Sequence, residues 1–212
     1  ALEGQQFQFR PKETFLFVNA AWLVFSLAGA IPFYISDIGL TFAEAFFETA
    51  SGLTTTGSTV ITGLDTRPPG ILLWRSLLQW IGGIGIVVIG IWLLPGLRIG
   101  GSQLFAIESS EKTSKPYGRV EPFVARLLML YLTLSLFCGL AYFLAGMTAF
   151  DAINHMMTTV STGGISTSDS SMGKYSTNLM LWISIFFMIM SGVPFLYIIR
   201  IAEWRDNPHR GQ

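Results

Sequence analysis

Four long apolar segments alternate along this chain with short amphipathic and hydroxyl-rich stretches. Residues 14–35 form the first segment, carry no charge, and have about the length a helix needs to cross a ~30 Å hydrocarbon layer. Pro32 falls near its far end, where a kink is tolerated. Residues 41–53 follow and open with Thr41-Phe42-Ala43-Glu44, the Ser/Thr-x-x-Asp/Glu signature of a capped helix start. These 13 residues are too few to span a bilayer, so the pattern predicts a half-helix entering from one side and stopping at a loop. The chain then returns through residues 61–70, with Pro68-Pro69-Gly70 as a break. Residues 71–94 are the second span, with Gly82, Gly83, Gly85 and Gly90 as close-packing positions and Pro95-Gly96 as its end. Arg75 and Gln79, in its first turns, are expected near the interface. Residues 98–118 are polar and read as an exposed loop or a short interfacial helix. A third span (123–144), a second half-helix (148–160), a second polar loop (161–176) and a fourth span (179–199) complete the order. Ser191-Gly192-Val193-Pro194 is the expected kink of the last span.

Each half-helix runs into a similar stretch. The first is Ser51-Gly52-Leu53-Thr54-Thr55-Thr56-Gly57-Ser58-Thr59-Val60 and the second is Thr158-Thr159-Val160-Ser161-Thr162-Gly163-Gly164-Ile165-Ser166-Thr167. Pairing Gly57 with Gly163 sets an offset of 106 residues (163 less 57) and brings the flanking apolar segments into correspondence. Such runs make poor helices and poor core strands. Threonine and serine favour extended backbone, and glycine reaches φ angles closed to other residues. A loop of this kind can turn its carbonyl oxygens one way and replace the water around a cation. One such loop alone is more simply a packing surface between helices; two in the same context are hard to obtain from packing alone. The expected architecture is an all-α membrane protein of two span–half-helix–loop–span repeats, 1–100 and 101–212.

Composition agrees. Of 212 residues, 51% are hydrophobic and 12% charged, about half the charged share of a soluble domain. Thirteen basic and thirteen acidic residues cancel, so nothing points to nucleic acid. Cys138 is the single cysteine, which excludes an intrachain disulfide and argues against a thiolate metal site. Residues 1–12 lack the apolar core and cleavage site of a signal peptide, and Ala1 in place of Met reads as a processed or partial chain. With the N-terminus inside, Arg10, Lys12, Arg98, Lys112, Lys115, Arg119, Arg126, Arg200, Arg205 and Arg210 lie inside against Arg67, Arg75 and Lys174 outside. That bias predicts cytoplasmic termini and half-helices entering from outside. Their C-terminal ends then carry about half a negative charge each into the membrane, which favours a cation. Asp37, Glu44, Glu48, Asp65, Asp151 and Asp169 would draw cations to the outer mouth. Glu44 and Glu48 read as capping and surface charges, His155 as a polar residue satisfied inside the bundle, and His209 as solvated.

Gly52-Leu53-Thr54-Thr55-Thr56-Gly57, Thr159-Val160-Ser161-Thr162-Gly163-Gly164 and the run Trp80-Ile81-Gly82-Gly83-Ile84-Gly85 resemble the Trk/Ktr/HKT potassium transporter superfamily, closest to its bacterial TrkH branch. The resemblance covers nearly the whole chain with loops and spans in matching order. It implies potassium as the transported ion, no organic cofactor, and a potassium-channel-like pore of four repeats with one filter glycine each. This chain holds two repeats, and two loops cannot surround a dehydrated cation. The resemblance also implies a bacterial inner-membrane location, a cytoplasmic nucleotide-binding (TrkA-like) regulatory partner, and a homodimer of full-length chains. Within the family, serine at the first filter glycine goes with sodium permeation.

On this reading the carbonyls of Thr54, Thr55, Thr56 and Gly57, and of Val160, Ser161, Thr162 and Gly163, coordinate potassium. Two rivals stand beside it. A non-conducting assembly subunit would show the same spans without ion flux. An intramembrane hydrolase would need a Ser/His or Asp/Asp pair at membrane depth, where His155 is the available base, and no H-E-x-x-H ligand pattern occurs.

Overall fold

The computed structural model describes residues 11–97, 120–175 and 177–193, which are helical with no strand among them. Helix α1 is Pro11–Ile35, α2 Phe42–Leu53, α3 Pro69–Leu97, α4 Val120–Leu144, α5 Ala149–Val160 and α6 Asn178–Gly192. Single 3-10 turns occur at Leu64–Thr66 and Ser171–Lys174. The polar segment 98–118, the boundary at 100/101, residues 194–199 of the fourth span and the basic tail with His209 lie outside the described residues.

Local chemistry sets the starts of the helices. Thr41 caps α2 in a closed capping box: the Thr41 N–H donates to Glu44 Oε2 at 2.8 Å, and the Glu44 N–H donates to Thr41 Oγ1 at 3.3 Å. Thr148 caps α5 with its side chain, its Oγ1 accepting from the Asp151 N–H at 3.1 Å. Ahead of each cap a glycine takes positive φ, Gly39 at 77° and Gly146 at 106°, which turns the chain from span to half-helix. The Pro68 carbonyl accepts from the Ile71 N–H at 3.0 Å. Pro68-Pro69-Gly70 therefore opens α3, with Pro69 at a first-turn position that needs no N–H. α1 runs through Pro32, and α3 continues past Pro95-Gly96 to Leu97.

Most of the buried apolar residues fall into two clusters. One draws on α1, α2, the loop after α2 and α3, around Phe33, Ala45, Leu53, Ile61 and Leu78. The other draws on α4, α5 and α6, around Tyr131, Tyr142, Met147, Val160 and Phe187. α3 joins them: Trp80 and Ile84 pack on the second cluster. Trp80 Nε1–H donates to Ser135 Oγ at 2.9 Å, and Tyr131 O–H donates to the Trp80 carbonyl at 2.9 Å. Apolar side chains line the outside. Phe15 of α1, Met129 of α4 and Trp182 of α6 are each about two-thirds exposed or more (69, 72 and 67%). Among the described residues, the helical segments Phe15–Ile35 and Val124–Leu144 are long and apolar enough to cross a membrane. An apolar exterior over polar buried groups suits a hydrocarbon solvent.

Candidate ion-coordinating loops

The two half-helices end on loops of one shape. After α2, Thr55 takes φ 55° and Gly57 φ 79°; after α5, Thr162 takes φ 55° and Gly164 φ 79°. The closing bonds match as well. Thr54 N–H donates to the Ala50 carbonyl and Thr56 N–H to the Ser51 carbonyl, both at 2.9 Å. Ser161 N–H donates to the Met157 carbonyl at 3.2 Å and Gly163 N–H to the Thr158 carbonyl at 2.9 Å. The correspondence is therefore 107 residues, the spacing of the caps Thr41 and Thr148 (148 less 41). The 106-residue pairing of Gly57 with Gly163 is corrected by one position. A Gly-Gly doublet permits either alignment by eye, and positive φ selects Gly164. Val160, like Leu53, is the last residue of its helix, while Ser161, Thr162 and Gly163 match Thr54, Thr55 and Thr56. Threonine at positive φ is a strained choice for a β-branched residue, and both loops make it.

The loops meet. A Cβ on Gly57 would run into the Gly163 carbonyl oxygen. Thr54, Thr56, Thr162 and Gly164 are exposed while Ser161 and Gly163 are buried, so each loop has an open side and a packed back. α3 supplies much of that back. The Leu53 carbonyl sits where a Cβ on Gly82 would lie, and Ser161 Cβ lies 2.8 Å from such an atom on Gly83. Gly85 is looser, with Trp22 alone among the described residues in ordinary contact, at 3.8 Å. The C-terminal ends of α2 and α5 thus bring their partial negative charge to one place.

Arg75 and Gln79 are not at the interface. They are 2% and 0% exposed, one turn apart on α3, and face the loops. Glu48 is 1% exposed, so it is no surface charge. Its Oε2 pairs with Arg75 Nε at 3.3 Å, and its Oε1 accepts from Thr59 Oγ1 at 2.6 Å and the Val60 N–H at 2.5 Å. Arg75 also donates to Thr59 Oγ1 at 2.8 Å and across to the Ser166 carbonyl at 3.3 Å. Burying these charges is tolerable because each carries several bonds besides its partner.

His155 is the counterpart of Glu48, and Ser166 of Thr59, at the same 107-residue spacing. His155 Nδ1 lies 2.8 Å from the Asp151 carbonyl, so Nδ1 carries the proton and Nε2 accepts from Ser166 Oγ at 3.0 Å. This is a Ser/His contact at depth, yet the third group is a backbone carbonyl. The Asp151 carboxylate is engaged elsewhere, by Thr148 at 2.9 Å and Thr167 at 2.6 Å. His155 is satisfied inside the bundle, as expected.

Outside the loops lies a cavity of about 250 Å³, bounded by Gly57, Thr59, Arg75, Gly164, Ser166 and Asp169. Asp169 Oδ2 accepts from the Leu64 N–H at 3.1 Å, and the Asp169 N–H donates to Asp65 Oδ2 at 3.3 Å. The Ser168 hydroxyl, that N–H and nearby Lys174 hold the Asp65 carboxyl below the usual carboxylate range. Glu48 and Asp151 are spent on internal bonds, and among the described residues Asp169 is the acid that lines this cavity, with Asp65 bonded to its N–H. Among the described residues no group of three or more His, Cys, Asp or Glu side chains could hold a metal ion.

A family model described as TrkH, cation transport protein, matches residues 2–209. This chain belongs to the TrkH family. The Trk system potassium uptake protein TrkH of Vibrio parahaemolyticus is 42% identical over 205 residues, covering 95% of this chain and 42% of that relative. The protein of the same name from Escherichia coli K12 is 42% identical over 188 residues, 87% of this chain and 39% of its own length. A crystal structure of the potassium transporter TrkH from Vibrio parahaemolyticus superposes with a TM-score of 0.79 at 39% identity, covering 92% of this chain and 39% of that one. The chain therefore spans about two fifths of the relatives it matches. The TrkH family is one of membrane transporters, not enzymes, and the Ser166–His155 contact belongs to the loop support.

The sequence expectation ended the two half-helices at Leu53 and Val160, where α2 and α5 stop, and missed what holds the segments that follow. Glu48, Arg75, Gln79, Ser166 and Gly164 are the omissions. One signal was available: Arg75 and Gln79 are polar residues four apart in an otherwise apolar segment, hence on one helix face.

Proposed function

We propose that this TrkH-family chain supplies two of the loops that line a potassium-selective pore, and that its cargo is K+. The observation that carries the reading is the pair of loops with matched left-handed turns, each ending a half-helix and meeting the other at Gly57 and Gly163. Backbone oxygens of Thr54 to Gly57 on one side and Ser161 to Gly163 on the other replace the hydration of K+, with Gly164 in the place Gly57 holds. Val160, on α5, stands at the entrance to its loop. The two halves, 1–100 and 101–212, act as two of several repeats, because two loops leave half of an ion's surroundings open.

The names of the relatives as Trk system potassium uptake proteins support this cargo and association with other components of such a system. We assign that contact to a cytoplasmic nucleotide-binding regulatory subunit of the TrkA kind, met by residues 98–119 and the tail from Arg200, with a homodimer of full-length chains in the bacterial inner membrane. Charge reversal at Lys112, Lys115 and Arg205 should abolish co-purification of that subunit; unchanged co-purification removes the assignment.

The test of function is K+ and Na+ uptake into vesicles bearing the intact protein. Wild type should prefer K+. Gly57→Ser should lower the K+/Na+ preference by about tenfold or more, equivalent to ~1.4 kcal/mol, since its side chain meets the Gly163 carbonyl. Thr59→Ser keeps the hydroxyl that Glu48 and Arg75 use and should stay near wild type. Equal selectivity in wild type and Gly57→Ser would mean that this loop is not the filter, and absence of any flux would leave a purely structural subunit.

A further inference from the structure

Gly163 and Gly164 are glycines for different reasons. Gly164 takes φ 79° and has nothing among the described residues within 4 Å of where a Cβ would stand, so its backbone angle is what requires glycine. Gly163 does not share that left-handed angle; what forbids a side chain there is the Gln79 amide, whose Cδ, Nε2 and Oε1 fill that space. Gln79 is 0% exposed. Its Oε1 accepts from the Ile165 N–H at 3.3 Å. Its Nε2 has no hydrogen-bond partner among the described residues and lies 3.8 Å from where a Cβ on Gly57 would stand. A buried amide N–H left unpaired is costly and uncommon, and here it sits at the seam between the two loops. A leucine at 79 would fill a similar volume but take the acceptor from the buried Ile165 N–H, so volume alone does not account for the amide.

We propose that Gln79 is a specificity-determining positioning residue: its amide, seated in the notch of Gly163 and bonded to the Ile165 N–H, clamps the second loop against the first at Gly57. The clamp comes from α3, in the first half of the chain, and acts on the loop of the second half. It fixes the separation of the Gly57 and Gly163 backbones, and with it the size of the oxygen cage. Small errors in that size matter, because K+ and Na+ differ mainly in the oxygen distances they accept. This inference rests on the reading of these loops as a potassium filter.

The experiment compares K+ and Na+ uptake by the intact protein in vesicles with thermal unfolding of the same purified variants. Gln79→Leu keeps volume and loses the amide. It should lower the K+/Na+ preference about tenfold, the worth of one buried hydrogen bond, while Na+ flux persists. Gly163→Ala should unfold a few degrees lower in the Gln79 background and much less so beside Gln79→Ala, since the double variant removes the group the new methyl meets. A Gln79→Leu protein as selective as wild type, alongside a Gly57→Ser protein that has lost selectivity, overturns the clamp and spares the filter. Additive unfolding shifts for Gly163→Ala and Gln79→Ala overturn it whatever ion is carried. If the unfolding shifts couple but wild type shows no K+ preference, the clamp stands as a loop-positioning device and the potassium reading falls.

Discussion

Glu48 and His155 occupy the same turn of α2 and α5, and each reaches a hydroxyl on the outgoing arm of its own loop, Thr59 or Ser166. One half of the chain answers with an ion pair and the other with a neutral imidazole. The two halves differ in that Arg75 bonds the Glu48 and Thr59 side chains directly but bonds the second loop at the Ser166 backbone carbonyl. Glu48→Ala strands the Arg75 guanidinium in a buried site. Removing one member of a buried pair costs about 3–5 kcal/mol, so the variant should unfold far earlier in detergent, with Glu48→Gln intermediate. A Glu48→Ala protein as stable as wild type would show the pair to be dispensable. Gly164 offers a second test at this scale. An L-residue in the left-handed region costs about 1–2 kcal/mol, and Asn tolerates it best. Gly164→Ala should therefore lose more stability than Gly164→Asn, the reverse of their helix propensities.

α2 and α5 are each 12 residues long, marginal as isolated helices. Caps at one end and packing against α3 at the other hold them. That packing depends on Gly82, where the Leu53 carbonyl occupies the place of a side chain, while among the described residues Gly85 meets Trp22 alone, at 3.8 Å. Gly82→Leu should displace the C-terminus of α2 and cost at least the ~1–3 kcal/mol of an overpacked contact. Gly85→Leu should be milder. Thermal midpoints and uptake by the two variants check the order, and equal effects would contradict it. The sequence expectation treated both glycines alike.

Across the whole molecule, α3 is the shared wall. It contributes Leu72 and Leu78 to one cluster, Trp80 and Ile84 to the other, and Arg75 and Gln79 to the space between. The segments after α2 and α5 are tied together through Asp169, Leu64 and Asp65, so the halves are coupled there as well as through α3. The basic-residue bias predicts this tied face outside. Cysteine at Asp37 or Ser170, both exposed, should react with an impermeant thiol reagent in intact cells, and cysteine at Ser114 should not. Labelling of Ser114 alone would invert the topology. Cys138 is buried and should stay silent.

Helices, caps and loops were legible in the sequence because each rests on local rules. Apolar length marked the spans, Thr41 and Thr148 marked the half-helix starts, and threonine–glycine runs marked where the helices stop. What lay beyond it was the exact register of the repeat and every contact between its two halves. The Gly163-Gly164 doublet reads the same in either register until backbone angles separate a glycine needed for φ from one needed for space. Glu48, Arg75 and Gln79 look like interfacial polar residues in one dimension. Only the tertiary structure, by laying α3 behind both loops, turns them into buried supports, since a charge or an amide is acceptable in an apolar span when partners distant in sequence arrive to bond it.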